Sequence, residues 1–421
     1  MSNLVYWVWF ASLPGLRSQT RRALLEQCGD AQAVFAAERR ALLDAGAGDG
    51  ECESILRHDT AEAEHILYRC GEEGVQLLTI QDAAYPERLR NIPDPPCVLY
   101  VKGSLPAVDA EATVAVVGTR KSTPYGDKMA RDLGYGIAKG GGIVVTGLAE
   151  GADSWAAQGA LLAGGRVIGV LGTAIDEVFP AFNRPLFADV AATGALLSEY
   201  PPGTPGNKNF FPVRNRIIAG LSLGTVVVEA PLRSGALITA HRAADYGRDV
   251  FAVPGNADAP NSRGSNALLR EGAQIAENAW DVLGHYAHLF PEKISRQGRL
   301  AIPEERAIPA PGKAPEKQAD AGRDKSAGAG FFKLRVPVRK KKKEENMAPA
   351  TPLAEQLAGL SEQQLKIVGV MNKPSMHIDD IIDLTQLPAA AVLAELTLLQ
   401  IKGFVTQESG KCFTLKITKR G

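Results

Sequence analysis

Between roughly residues 105 and 285, short apolar runs alternate with longer helical patterns, and this alternation restricts the fold more than any other feature of the chain. The runs are 114–117, 143–145, 167–171, 195–197, 225–228 and 250–253. Most are continuously apolar, as strands covered on both faces are. With helical segments between most of them, they read as a βαβ series and an open parallel sheet. Ligands of such sheets bind beyond the carboxyl ends of the strands. The loops that follow these runs are therefore the places to look for function.

The remaining sequence falls into distinct textures. Residues 1–75 read as a module of short helices, with helical stretches at 19–28, 30–45 and 60–74. The turn Leu13-Pro14-Gly15-Leu16 is of the kind found in helix-hairpin-helix or SAM-like modules, where backbone amides can hold a phosphate. A plain structural turn is the preferred reading. Residues 76–104 are a proline-marked connector with an edge strand at 98–101. Residues 105–288 form the Rossmann-like domain. Residues 289–352 form a linker too poor in apolar side chains to build a core, and it contains the basic run Arg339-Lys340-Lys341-Lys342-Lys343. Residues 353–421 show helices at 361–370, 378–384 and 389–402, then a hairpin around Ser409-Gly410, which is the pattern of a winged helix. The expected fold class is α/β, an extended Rossmann-like parallel sheet flanked by an N-terminal helical module and a C-terminal winged helix. The recognition segment expected in the winged helix, 388–399, contains Glu395 and no Lys or Arg, so strong DNA reading is not expected there.

Composition bears on partners. Lys plus Arg and Asp plus Glu both total 47, so no global field draws the chain to nucleic acid, and phosphate binding has to come from local sites. The cysteines Cys28, Cys52, Cys70, Cys97 and Cys412 form no CxxC pair, and reduced thiols are expected rather than disulfides or a metal site. No basic-then-apolar leader follows Met1, and no stretch has the ~20 apolar residues of a membrane span, so a cytoplasmic location without membrane contact is expected.

Four loops carry the chemistry. Gly118-Thr119-Arg120-Lys121-Ser122 follows the first run. Its glycine permits a sharp turn and close backbone approach, and Arg120 supplies a bidentate fork for phosphate. Thr146-Gly147-Leu148-Ala149-Glu150-Gly151-Ala152-Asp153 repeats the device after the second run, with Asp153 or Ser154 available as a helix cap. The segment 208–220 is the densest. Lys208, Arg214 and Arg216 can pair phosphates, Phe210 or Phe211 can stack on a base, and Asn215 lies among them. One of the two phenylalanines is expected to be core. After the fifth run, Ser234 and Gly235 open a helix as a second anion cradle, with Thr239 one turn on. Glu229 can act as a general base or orient a neighbouring loop, and the second role is preferred. Asn266 is expected to hold a turn through its amide. Neither GxGxxG nor a Walker A pattern occurs, so no dinucleotide or ATP cofactor is expected.

These strings resemble the DprA (Smf) family, the DNA-processing proteins of bacterial natural transformation. The resemblance rests on Val-Val-Gly-Thr-Arg at 116–120, Tyr125-Gly126, Thr-Gly-Leu-Ala-Glu-Gly-Ala-Asp at 146–153 and Ser-Glu-Tyr-Pro-Pro-Gly-Thr at 198–204. It also rests on Phe-Pro-Val-Arg-Asn-Arg-Ile-Ile-Ala-Gly-Leu at 211–221, Ser-Gly-Ala-Leu-Ile-Thr-Ala at 234–240 and Gly-Arg-Asp-Val-Phe-Ala-Val-Pro-Gly at 247–255. It implies single-stranded DNA binding, without catalysis, in a pocket lined by Arg120, Lys208, Phe211, Arg214 and the glycine loops. It further implies a homodimer through the core and delivery of DNA to the recombinase RecA. The family usually carries Ala-His after its Gly-Ile-Asp, whereas here Ala156-Ala157 follows Gly151-Ala152-Asp153. Two other readings share the pocket: an N-glycosidic hydrolase acting on nucleotides, and a nucleotide sensor.

Overall fold

The computed structural model describes residues 3–296, 360–371, 376–385, 387–401, 404–408 and 412–415. They fall into two units divided near residue 320, which are described separately.

In the first unit a nine-stranded sheet has the order β1-β2-β6-β5-β4-β3-β7-β8-β9. The strands are β1 (Gln76–Thr79), β2 (Val98–Gly103), β3 (Thr113–Val117), β4 (Ile143–Thr146), β5 (Val167–Val170), β6 (Ala195–Ser198), β7 (Gly224–Val227), β8 (Asp249–Ala252) and β9 (Gln274–Ile275). All six runs read from the sequence are strands. They pair in parallel, whereas β1 and β2 join antiparallel to one another and to β6. The chain therefore departs from β3 in opposite directions along the sheet, through β4, β5 and β6 on one side and β7, β8 and β9 on the other. The pleat of β3 shows why both faces are covered. Val114 and Val116 join the core under the Pro124–Lys139 and Ala152–Leu162 helices, while Ala115 and Val117 join the core under Phe210–Leu221 and Gly235–Asp245. Each fully buried Leu or Ile in these layers contributes roughly 1.5–3 kcal/mol.

Three expectations need correction. Residues 98–101 are not an edge strand, because β1 covers β2 on its outer side. All four of these residues are buried, which is the signature of an inner strand. The segment 76–104 is thus part of the sheet rather than a connector. The linker also begins later than residue 289, since Ile294 is buried and Lys293 pairs with Glu111 and donates to the Ala110 carbonyl. The rest of the expected linker, with 307–330 and the basic run 339–343, lies outside the described residues.

The helical module comprises Leu4–Ser12, Ser18–Cys28, Ala31–Phe35, Arg39–Asp44, Asp49–Leu56 and Ala61–Glu72. The expected helix 30–45 is therefore two helices, and Leu4–Ser12 and Asp49–Leu56 were not anticipated. Leu13-Pro14-Gly15-Leu16 does join two helices, with Gly15 at φ +74°. The anion beside this turn belongs to the chain itself. Glu51 accepts from the Arg17 amide at 3.0 Å, the Gly48 amide at 2.8 Å, Thr20 Oγ1 at 3.3 Å and the Arg17 guanidinium at 2.8 and 3.0 Å. The Arg17 side-chain hydrogen bond holds this carboxyl well below the usual carboxylate range, against the opposing effect of burial. The donors beside the turn, the Arg17 and Gly48 amides and the Thr20 hydroxyl, are thus occupied by a carboxylate of the chain itself.

The second unit has helices Glu362–Val370, Ile378–Thr385 and Ala389–Ile401 and a sheet ordered β10 (Met376–His377), β12 (Cys412–Leu415), β11 (Val405–Glu408). This is the expected winged helix with one extra short strand. Ser361 and Gln364 form the capping box of its first helix. Val392, Leu396 and Leu399 are fully buried. Glu395 accepts from Gln364 Nε2 at 2.7 Å, so its carboxylate ties the third helix to the first. The Ser409-Gly410 turn lies outside the described residues.

Candidate nucleic-acid interface

The loops after β3 and β7 lead to helices on opposite faces of the sheet, and a cleft of about 670 Å³ opens where they part. This is the position that open parallel sheets use for ligands. Its lining includes the cations Arg120, Lys121, Lys208, Arg214 and Arg233, and its one acid is Asp153.

Ten of the fourteen predicted residues line this cleft: Gly118, Thr119, Arg120, Lys208, Phe211, Arg214, Asn215, Ser234, Gly235 and Thr239. Arg120 and Lys208 are exposed and make no ion pair among the described residues. The Arg120 guanidinium lies 5.2 Å from the centroid of the Phe211 ring. Neither phenylalanine is core, contrary to expectation, since both are only half-buried. Phe210 stacks on Tyr200 at 3.8 Å with planes 17° apart, which leaves Phe211 for the cleft. Ser234 caps the Gly235–Asp245 helix through the Ala236 amide at 3.3 Å. The Gly235 amide donates to no acceptor among the described residues, and a Cβ there would meet open space. Thr239 is buried in the floor, one turn in from this helix N-terminus. Such an open first turn favours anions.

Other predicted ligands are engaged by the protein itself. Arg216 lies off the cleft. It bonds to Glu199 at 2.7 Å and to the Asp94 carbonyl at 2.8 Å, so it fastens the helix Phe210–Leu221 to the outer part of the sheet. Burial works against its charge, but Glu199 and Asp94 outweigh that and hold the guanidinium above its ordinary value. The Leu148 side chain does not reach the cleft either: it is fully buried, with its backbone at φ +51°. Ser122 donates to Asp127 instead of facing the cleft. Gly147 borders a smaller adjoining hollow of about 70 Å³.

The two strand-end glycines serve packing rather than ligand approach. A Cβ at Gly118 would lie 2.6 Å from the Ala152 Cβ, and one at Gly147 would lie 2.5 Å from Arg214 Nη2. Their amides are also occupied, since Gly118 N and Gly147 N donate to the two oxygens of Asp153 at 3.3 and 3.1 Å. Asp153 thus staples the two loops together. Arg214 completes the staple by donating to the Gly147 carbonyl at 3.0 Å and to the Val170 carbonyl. Burial pushes Arg214 down to about 10, with Asp153 pulling the other way, so it stays charged at neutral pH. Burial likewise pushes the Asp153 carboxyl up, opposed by Arg214 and the amides. Asn215 links Arg214 to the Gly235 carbonyl, and Thr119 receives the Lys121 amide.

Glu229 takes the orienting role. It is 2% exposed, and its two oxygens accept from the Thr123 amide at 2.8 Å and the Thr123 hydroxyl at 2.7 Å, which fixes the start of the Pro124–Lys139 helix. Asn266 holds Gly255 through both ends of its amide, as expected. Sequence reasoning missed Lys121 and Arg233, which flank the residues it chose, and Phe179, which precedes a proline in the loop after β5. Their position beyond strand ends was the available signal.

The fold and cleft define a Rossmann-like protein whose switch-point site is cationic and aromatic. The family model described as DNA recombination-mediator protein A matches residues 76–287, and that of the DprA winged helix domain matches 348–411. Protein Smf of Synechocystis sp. is 32% identical over 97% of this chain and 98% of its own length. The DNA processing protein DprA of Bacillus subtilis is 39% identical over 52% of this chain and 73% of its own length. The X-ray structure of DprA from Streptococcus pneumoniae superposes with a TM-score of 0.60 at 34% identity, covering 68% of this chain and 98% of that one. The chain belongs to the DprA (Smf) family of DNA-processing, recombination-mediator proteins.

Proposed function

We propose that the cleft binds single-stranded DNA. One observation carries the reading: Arg120, Lys121, Lys208 and Arg233 line the cleft together with the Phe179 and Phe211 rings, while the one acid of the cleft is buried and consumed by two backbone amides. Cations without partners suit a phosphate backbone, and Phe211 suits an unpaired base, which duplex DNA does not offer. The cations come from three separate loops, which favours a polymer with several phosphates over a mononucleotide. In calorimetric titration an unstructured oligonucleotide of roughly 15 residues is expected to bind much more tightly than a nucleoside monophosphate. The reverse order would establish the nucleotide sensor instead. The hydrolase reading loses its base, because both oxygens of Glu229 are committed to Thr123.

Family membership extends the proposal. The protein protects incoming DNA in the cytoplasm and loads RecA on it during natural transformation, acting as a non-catalytic homodimer through the sheet domain. Faster RecA assembly on the bound strand is the expected readout, and an unchanged rate refutes this role. Two apolar side chains support dimerisation. Ile275 on the outermost strand is 56% exposed, and Leu232 is 60% exposed. The variant Ile275→Asp is expected to sediment as a monomer where the parent sediments as a dimer. No helix among the described residues is long and apolar enough to cross a membrane.

A further inference from the structure

Phe179 holds an apolar ring in solvent at the rim of a cationic cleft, with 47% of the residue exposed. The loop that carries it is firmly anchored. Within it, Thr173 Oγ1 donates to the Glu177 carbonyl at 3.0 Å. From below, Ser198 Oγ donates to the Thr173 carbonyl at 2.6 Å, and the Ile175 amide reaches the Tyr200 carbonyl at 3.2 Å. From the side, Asp176 accepts from the Gly203 amide at 3.1 Å and from Arg69 of the helical module at 3.0 Å. A ring exposed on a loop fixed at so many points is a presented surface.

Its surroundings indicate the ligand. The Phe179 and Phe211 centroids are 5.5 Å apart with planes 55° apart, and both rings border the main cleft and the adjoining hollow of about 70 Å³. Phe211 already carries the Arg120 guanidinium and is only half-exposed, so Phe179 is the more open ring. A flat apolar surface beside unpaired cations matches the alternation of base and phosphate along an unpaired strand. We infer that Phe179 is a second stacking platform, which takes an unpaired nucleobase of the strand whose phosphates Arg120 and Lys208 hold. This inference rests on the reading of the cleft as a single-strand site.

The test uses the full chain with two polymers of equal length, an oligothymidylate and an abasic sugar-phosphate backbone. Phe179→Ala is expected to raise the oligothymidylate Kd about tenfold, the value of one base–aromatic stack, and Phe179→Trp to restore it. The slope of log Kd against log salt is expected to stay unchanged, since no phosphate contact is lost. The abasic polymer is expected to bind parent and Phe179→Ala equally. Wild-type affinity of Phe179→Ala for the oligothymidylate, or an equal loss on both polymers, overturns the inference. Lys208→Ala run in parallel separates the two levels. If it weakens both polymers while Phe179→Ala weakens neither, only the stacking role fails. If neither variant affects either polymer, the single-strand reading itself fails.

Discussion

Lys208→Ala is expected to weaken oligonucleotide binding about tenfold, and Arg120→Ala up to about a hundredfold, while the melting temperature of both variants stays at that of the parent. The magnitude follows from the loss of one charge-assisted hydrogen bond, worth roughly 1.5–3 kcal/mol, at about 1.4 kcal/mol per tenfold. Arg120 loses more because its planar guanidinium can hold a phosphate through two parallel hydrogen bonds, where the lysine ammonium acts as a point charge. Neither residue is buried or ion-paired among the described residues, and the one contact of Arg120, with the half-exposed Phe211 ring, is worth little at the surface, so the native state depends little on either charge. Each variant is also expected to flatten the salt dependence by about 0.7 in the log–log slope, the share of one released counterion on a single strand. Unchanged affinity in both variants, measured by titration across a salt series, would remove the phosphate assignment from this cleft.

Much of this site was legible because its architecture is local in sequence. A short apolar run followed by glycine and a helix start announces a strand-end loop, and all six runs are strands of the sheet. Residue type alone could not say which side of a helix a cation occupies. Lys208, Arg214 and Arg216 lie within nine positions of one another, yet they meet three environments. Lys208 precedes the helix and reaches solvent, Arg214 turns into the sheet, and Arg216 turns towards Glu199 and Asp94. The partners that decide this are non-local: Gly147 is 67 positions from Arg214, and Asp94 is 122 positions from Arg216. Glycine misled in the same way. Gly118 and Gly147 look like places where a ligand approaches the backbone, but the close neighbours are Ala152 and Arg214. Strand β1 was missed because four residues reading Gln-Leu-Leu-Thr are too few to show a period, and β2 was then misplaced at the edge.

The Asp153–Arg214 staple has the largest expected effect on stability. Asp153→Asn puts an amide NH₂ where one of two backbone N–H groups now finds an acceptor, at Gly118 or Gly147, and it leaves Arg214 buried without its counter-charge. Leaving buried hydrogen-bonding groups without partners typically costs about 1–3 kcal/mol, and more where a charge is stranded, equivalent to up to roughly 10 °C of melting temperature in a domain of this size. Arg214→Met is expected to cost a similar amount, since it strands Asp153 and the carbonyls of Gly147 and Val170. Arg214→Lys is expected to fall between, because one ammonium cannot reproduce the planar fork that reaches both carbonyls. The double variant Asp153→Asn, Arg214→Met is expected to lose clearly less than the sum of the two, because both residues hold the backbone of Gly147 and neither charge is then left stranded. Thermal melts of the free protein beside oligonucleotide titrations separate this role from a direct one. If Arg214 were chiefly a phosphate ligand, Arg214→Met would melt like the parent and fail only in binding. The geometry requires the opposite order, with stability falling first and affinity following because the loops carrying Arg120 and Gly147 lose their common anchor.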